Sequence, residues 1–122
     1  MTLKHYRELI VWQRAMELVK STYEVTAKYP STEAYGLTGQ MRRAAVAIPS
    51  NIAEGQGRNS TKDFLRYISI AYGSLLELET QVSISEMLGY LSGNETRFLL
   101  EKCAEVGRLV NGLRNSLERK IT

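Results

Sequence analysis

"DFLRYISIAYGSLLELETQV", residues 63–82, is the stretch that decides the fold. Its apolar side chains recur at spacings of four and three residues, at Phe64, Ile68, Ala71, Leu75, Leu78 and Val82. That period is typical of an α-helix with one apolar face. A second apolar stripe runs beside the first, at Leu65, Tyr72 and Leu76. The apolar face is therefore wide, and a subunit interface is a natural way to cover its second stripe.

Three further segments show the same period, and in each the apolar positions share one helical face. These positions are Trp12, Met16, Val19, Tyr23 and Thr26; then Leu37, Met41, Ala44, Ile48 and Ile52; and finally Leu99, Cys103, Val106, Val110, Leu113 and Leu117. No segment alternates apolar and polar residues as a strand does. We predict an all-α protein, an antiparallel up-down-up-down four-helix bundle. One domain spans residues 1–122, with helices at about 7–28, 37–56, 60–89 and 94–120.

Local sequence features mark the helix ends. Pro30 disfavours helical backbone at the residue before it, so the first helix should stop there. Ser60, followed three residues later by Asp63, resembles a capping box, with Asp in place of the usual Glu. Ser92 and Glu95 form the usual pair at the start of the last helix.

Pro49 lies inside the second helical pattern. In a helix interior, proline removes one backbone hydrogen bond and clashes with the preceding turn. Because the apolar series runs through it, from Ile48 to Ile52, we predict one helix kinked at Pro49 rather than two helices. Ser50 and Asn51 are close enough to bond the carbonyl groups that the proline leaves free. The alternative is that the bend displays Ser50 and Asn51 to a partner.

The composition is that of an ordinary globular domain, with 43% hydrophobic and 24% charged residues. No apolar run approaches the length of a bilayer span, so no membrane partner is predicted. The amino-terminal stretch has charges on both sides of a short apolar patch and no small-residue cleavage site, unlike a signal peptide. The single cysteine, Cys103, excludes an intramolecular disulfide. We therefore expect a cytoplasmic protein.

The sequence contains few candidate residues for catalysis or for binding a cofactor. His5 is the only histidine, and the Glu-x-x-His pairs of di-metal bundles do not occur. Cys103 lies on the apolar stripe of the last helix, where a packed hydrophobe is expected rather than a nucleophile. Gly55 and Gly57 follow a helix, without the strand or the Lys of a nucleotide-binding loop. We predict that the protein is not an enzyme and has no catalytic residue, cofactor or metal.

Basic residues cluster around the turn between the second and third helices. The formal net charge of the chain is +3, and the acidic residues near this turn are few, namely Glu54 and Asp63. Such a cluster can contact the phosphate groups of nucleic acid. The alternative is an ordinary solvated face. The candidate nucleic-acid-binding residues are Arg42, Arg43, Arg58, Lys62 and Arg66.

Three stretches together resemble a known family: VWQRAMELVKSTYEVT (11–26), YGLTGQMRRAAVAIPSNIAEGQGR (35–58) and the opening stretch (63–82). They look like the small four-helix bundle proteins encoded in intervening sequences of bacterial 23S ribosomal RNA genes. That family is similar to the accessory variability protein of diversity-generating retroelements. The resemblance implies an antiparallel bundle that assembles as a homopentamer. It also implies basic surfaces, which in the retroelement relative bind nucleic acid and a reverse transcriptase.

The five candidate basic residues fall in the most distinctive stretches of this family. We therefore expect a non-enzymatic homo-oligomer, which the resemblance implies is a pentamer. We expect its basic surface to bind structured RNA or another nucleic acid, whether RNA or DNA. The alternative is a protein-interaction adaptor, for instance for a reverse transcriptase or another polymerase, that does not itself bind nucleic acid.

Overall fold

The structure, a computed structural model, describes residues 5–121, in which the regular elements are helical and no strand occurs. Two short 3-10 helices, Tyr6–Glu8 and Ser31–Glu33, precede the first and second long helices. The long helices are α1 Ile10–Thr26, α2 Leu37–Gln56, α3 Thr61–Met87 and α4 Gly93–Lys120. The prediction of an all-α protein is confirmed.

The four long helices form a ring in which α1 and α3 each pack against both α2 and α4. Helices that are adjacent in the ring run antiparallel, as two contacts between their ends illustrate. Ser85 Oγ near the end of α3 lies 3.4 Å from Met41 Sδ near the start of α2. Lys28, just after α1, forms an ion pair with Glu95 in the first turn of α4. The centre of this four-helix bundle is filled by fully buried aliphatic side chains, among them Ile48, Ile52, Ile68, Leu75, Leu78 and Val110.

The main apolar stripes of α3 and α4 face the core. Their buried members are Ile68, Ala71, Leu75, Leu78 and Val82 on α3, with Leu99, Cys103, Val106, Val110 and Leu117 on α4. Phe64 and Leu113, at one end of the bundle, are half-buried. In the second stripe of α3, Leu65 and Tyr72 are half-buried against this core, and Leu76 is 45% exposed.

α1 presents a different face to the core from the one that the sequence predicts. Of the predicted stripe only Thr26 is buried, while Met16 and Tyr23 are exposed. The hydroxyls of Thr22 and Thr26 donate to the carbonyls of Leu18 and Thr22 at 2.8 and 2.7 Å, so these polar groups are satisfied within the helix. Larger apolar side chains are left on the outer face. The buried face consists of Val11, Ala15, Leu18, Ser21, Thr22 and Thr26.

α2 is one unbroken helix through Pro49, which is buried. The carbonyl group that loses its helical donor to this proline belongs to Ala45. Asn51 Nδ2 instead donates to the carbonyl oxygen of Ala47, 2.7 Å away, while Ser50 is exposed. Asn51 therefore bonds the backbone of its own helix, but not the Ala45 carbonyl that the proline leaves free.

Both predicted serine caps form hydrogen bonds. Ser60 Oγ accepts from the N–H of Asp63, and Ser92 Oγ accepts from the N–H of Glu95, each at 3.1 Å. In the same cap, the Glu95 carboxylate accepts a second hydrogen bond from the Ser92 N–H at 2.9 Å. The Asp63 carboxylate, one methylene shorter, lies 4.0 Å from Arg66 instead. The cap of α4 is therefore reciprocal, whereas that of α3 is one-sided.

Candidate nucleic-acid interface

The structure divides the five predicted basic residues into two groups. Arg58, Lys62 and Arg66 lie at the end of the bundle where α2 finishes and α3 begins. Arg42 and Arg43 lie in the second turn of α2, near the opposite end. At 1.5 Å per residue, Arg42 and Arg58 are about 24 Å apart along the bundle. The five residues therefore do not form one continuous patch.

Arg42 and Arg43 differ in what they contact. The Arg42 guanidinium donates to Thr26 Oγ1 at 2.9 Å and to the Tyr23 carbonyl at 3.3 Å, and it lies 4.4 Å from the Tyr23 ring centroid. Both acceptors belong to the last turn of α1, where the helix dipole favours a cation. Arg43 is exposed and forms no ion pair with any residue in 5–121. Arg42 therefore joins α1 to α2, and Arg43 faces solvent.

Tyr67 contacts both arginines at the end of the bundle where α2 finishes and α3 begins. Arg58 Nη2 lies 2.7 Å from Glu54 Oε2 and donates to Tyr67 Oη at 2.6 Å. The Tyr67 hydroxyl in turn donates to Glu54 at 3.2 Å. The guanidinium groups of Arg58 and Arg66 lie 5.0 and 4.8 Å from the Tyr67 ring centroid. The hydrogen bond to Glu54, followed by the electrostatic influence of Tyr67, raises the pKa of Arg58 above its ordinary value.

The last turn of α4 lies beside this cluster because α4 runs antiparallel to α3. Arg58 and Lys120 line the same cavity, of about 230 Å³, between the α2–α3 turn and the end of α4. Lys62 and Lys120 are exposed and form no ion pair within residues 5–121. We call Arg58, Lys62, Arg66 and Lys120 the basic end of the bundle.

Neither Tyr67 nor Lys120 is among the residues predicted from the sequence. The antiparallel topology points to Lys120, because it places the last turn of α4 beside the first turn of α3. Tyr67 directly follows Arg66, and aromatic residues interleaved with basic ones are typical of surfaces that bind single strands. Both residues can therefore be inferred once the helices are placed relative to one another.

Reactive side chains are sparse in the described bundle. His5 is exposed, and within residues 5–121 no three potential metal ligands come together. Cys103 is buried, and burial raises the pKa of its thiol to about 12. Because the thiolate is the nucleophilic form, this thiol is unreactive at neutral pH while the bundle is folded. None of the helices between residues 5 and 121 combines the length and hydrophobicity of a bilayer-crossing segment.

The fold and the basic end together define a small helical-bundle protein with a cationic surface at one end. Residues 7–112 match the family described as 23S rRNA-intervening sequence protein, so the chain belongs to this family. The resemblance drawn from the three sequence stretches is thereby confirmed.

A solved crystal structure shares the fold. It is that of a protein with unknown function from the S23 ribosomal protein family of Bacteroides thetaiotaomicron, 18% identical in sequence. The two structures superpose with a TM-score of 0.77 over 86% of this chain and 98% of the other. At this identity the likeness shows the fold alone. No curated protein matches the chain.

Proposed function

We propose that this protein is a non-enzymatic cytoplasmic protein whose basic end binds the phosphate backbone of structured RNA. The observation that carries the proposal is the convergence of Arg58, Lys62, Arg66 and Lys120, from two helices and a turn, at one end of the bundle. Arg43, exposed but distant, is an additional contact for an RNA long enough to reach it. The membership of a family named for 23S rRNA intervening sequences agrees with an RNA partner.

The contacts within the basic end suit it to phosphate. Lys62 and Lys120 have no ion pair to break within residues 5–121. The two arginine side chains are held in place by the ring of Tyr67, which reduces the ordering that binding requires. The competing ion pair with Glu54 is exposed, and exposed pairs contribute only about 0.2–1 kcal/mol. A phosphate group can therefore replace that carboxylate.

The test compares charge reversal at the two ends of the bundle. The double variant Lys62→Glu with Arg66→Glu is measured against Arg97→Glu, an exposed arginine at the start of α4 at the opposite end. Affinity for an RNA hairpin is measured at several salt concentrations. The slope of log affinity against log salt is negative, and the loss of two phosphate contacts should make it shallower by about 1.4–1.8. Equal affinities for the double variant and the Arg97→Glu control would overturn the proposal.

We also propose that the chain assembles as a homopentamer. The resemblance noted above supports this, together with the apolar surface that one chain leaves exposed. Trp12, Met16, Val46 and Pro49 line a groove of about 330 Å³ between α1 and α2. On another side of the bundle, Leu76 of α3 is 45% exposed. Two different apolar faces on one chain suit a head-to-tail ring.

Light scattering or sedimentation tests the assembly directly. A pentamer has five times the 13.8 kDa mass of one chain. A single species of 13.8 kDa at micromolar concentration would refute the pentamer and leave the RNA proposal standing.

A protein-interaction adaptor is the second candidate function, and the same α1–α2 groove favours it. An apolar groove can dock a helix of another protein, such as a reverse transcriptase or other polymerase. The two functions are separated by capturing partners from a lysate with and without nuclease. An adaptor keeps its protein partner after nuclease treatment, whereas partners bridged by RNA are lost.

A further inference from the structure

The cavity at the basic end combines an apolar interior with a cationic rim. Its apolar side chains are those of Leu9, Phe64, Leu113 and Leu117. Its charged side chains are Arg58 and Lys120, and none of the described residues that line it is acidic. Of four other cavities, one lacks a charged side chain and three include a carboxylate among the described residues that line them. The cavity at the basic end is therefore suited to a ligand that is both apolar and anionic.

We infer that this cavity receives one unstacked base of an RNA strand whose phosphates lie on the basic end, an inference that rests on the proposed RNA binding. The protein then prefers single-stranded segments, such as the loop of a hairpin, to duplex. Bases inside a duplex are paired and stacked and cannot enter a cavity, whereas bases of loops can be splayed out onto a protein surface.

The dimensions and the lining of the cavity fit a base. Its volume of about 230 Å³ far exceeds the roughly 10–15 Å³ that one water needs. Phe64 offers an aromatic ring, the kind of side chain on which unstacked bases stack. The ring is held firmly by the α2–α3 contact, since a Cβ added at Gly55 would lie only 2.9 Å from Phe64 Cδ1. The cavity wall therefore includes an aromatic ring that is positioned by the packing of α2 against α3.

The rim of the cavity supplies the polar contacts that a nucleotide needs. Lys120 has no ion pair within residues 5–121 and can meet the phosphate of the inserted nucleotide. The first turn of α3 begins in the cavity wall, with Thr61, and its dipole favours an anion there. Asn59 and Ser116 also line the cavity, with amide and hydroxyl groups that can hydrogen-bond the edge of a base.

The test measures affinity for two probes with the same number of phosphates, an unstructured oligouridylate and a blunt RNA duplex, at one salt concentration. The protein should bind the single strand about tenfold more tightly. Ser116→Trp, which fills the cavity without changing its charge, should reduce this ratio to about one and leave duplex binding unchanged. Phe64→Leu, which keeps an apolar lining but removes the ring, should weaken single-strand binding about fivefold or more. Ser83→Trp, at an exposed position near the far end of α3, is the matched control and should retain the preference.

The possible failures are distinguishable. Equal affinity for the two probes overturns the base-binding inference, while salt-dependent binding of both preserves the proposed function. No binding of either probe at low salt overturns both. Dodecanoate serves as an apolar anion without a base. If Ser116→Trp abolishes dodecanoate binding but leaves the single-strand preference intact, the cavity is a lipid-anion site and the inference is wrong.

Discussion

Arg42 and Arg43 are neighbours in the chain and have the same side chain, yet they make different contacts. The Arg42 guanidinium contacts Thr26 and the carbonyl and ring of Tyr23. Arg43 is exposed and has no ion pair within residues 5–121. A position one residue further along a helix points about 100° away, which is enough to separate an interhelical contact from a solvent-facing charge.

Replacing each arginine separately should show this difference. Arg42→Ala removes hydrogen bonds to the last turn of α1 and should lower the free energy of unfolding by about 1–3 kcal/mol. Arg43→Ala, the adjacent control, should change it by less than about 0.5 kcal/mol. Urea denaturation measures both values. Equal losses in the two variants would show that the contacts of Arg42 do not stabilise the bundle.

Glu33 links the two loops at the end of the bundle opposite the basic end. Its carboxylate accepts from the Leu37 N–H and from the Tyr90 hydroxyl, each at 2.9 Å. The bond from Leu37, followed by that from Tyr90, lowers the pKa of Glu33 below its ordinary value of 4.5. A carboxyl whose pKa is lower in the folded state stabilises the fold above the unfolded pKa, and this contribution is lost as pH falls through the folded pKa.

Glu33→Gln should therefore reduce the Tm at neutral pH and lose less stability than the natural protein when the pH is lowered past 4.5. Glu24→Gln, at an exposed position on α1, is the control and should reproduce the pH dependence of the natural protein. Thermal melts at neutral and acidic pH measure both. A Glu33→Gln variant with the pH dependence of the natural protein would contradict the assignment.

At the scale of the elements, the α2–α3 pair forms the most extensive helix contact and positions the basic end. Gly55 allows the close approach at its end. A Cβ built on Gly55 would lie 2.7 Å from the Tyr67 Cβ and 2.9 Å from Phe64 Cδ1. The packing of these two helices therefore also fixes the ring that holds the arginines and the ring that lines the cavity.

Gly55→Ala should force α2 away from α3 and lower the free energy of unfolding by about 1–3 kcal/mol. Gly73→Ala is the matched control on α3, because a Cβ there would meet nothing within 4 Å. That change should instead raise the free energy of unfolding by about 0.5–1 kcal/mol. Denaturant titrations of both variants give the two signs, and the same sign for both would refute the close-approach argument.

The helices differ in how much of their packing the sequence predicts. The single strong stripe of α4, from Leu99 to Leu117, leaves little choice of buried face. α1 carries two candidate stripes, and the outer one holds the larger apolar residues, such as Trp12 and Met16. The inner stripe includes Thr22 and Thr26, whose burial is acceptable only because each hydroxyl bonds its own helix. Periodicity detects the helix, but not which face the neighbouring helices cover.

At the site too, some residues can be predicted from the local sequence, whereas others depend on how distant helices pack. Charge and spacing predict the cluster of Arg58, Lys62 and Arg66, because these residues lie within three helical turns of one another along the sequence. Lys120 joins them only through the antiparallel arrangement of α3 and α4. Charge predicts Arg42 as a phosphate contact, whereas its bond to Thr26 depends on how α1 and α2 are rotated against each other.

For the molecule as a whole, the outer stripe of α1 forms an exposed apolar surface together with part of α2. Met16 and Tyr23 are each 43% exposed, and Val46 of α2 beside them is 39% exposed. Exposed apolar side chains grouped in this way mark a surface that associates. The proposed pentamer would cover it.

Met16→Glu should shift the protein to smaller species, because association would bury an unpaired charge. The mass in solution measures the shift, and circular dichroism should show unchanged helix content, since Met16 lies outside the core. Ser83→Glu adds the same charge at an exposed position on α3 and should leave the mass unchanged. If Met16→Glu also keeps its full mass, the α1–α2 groove is not the interface.

Cys103, buried near the middle of α4, is a natural probe for the opening of the folded bundle. It is the only cysteine in the sequence, and its thiol has a pKa of about 12 in the folded bundle. Its side chain is fully buried, so alkylation requires an opening of the bundle that exposes it. The rate at which a thiol reagent labels the natural protein, without denaturant, should therefore report the equilibrium or rate of this opening. Ligands of the basic end can be ranked by how strongly they slow this labelling, with no tag or dye attached to the protein.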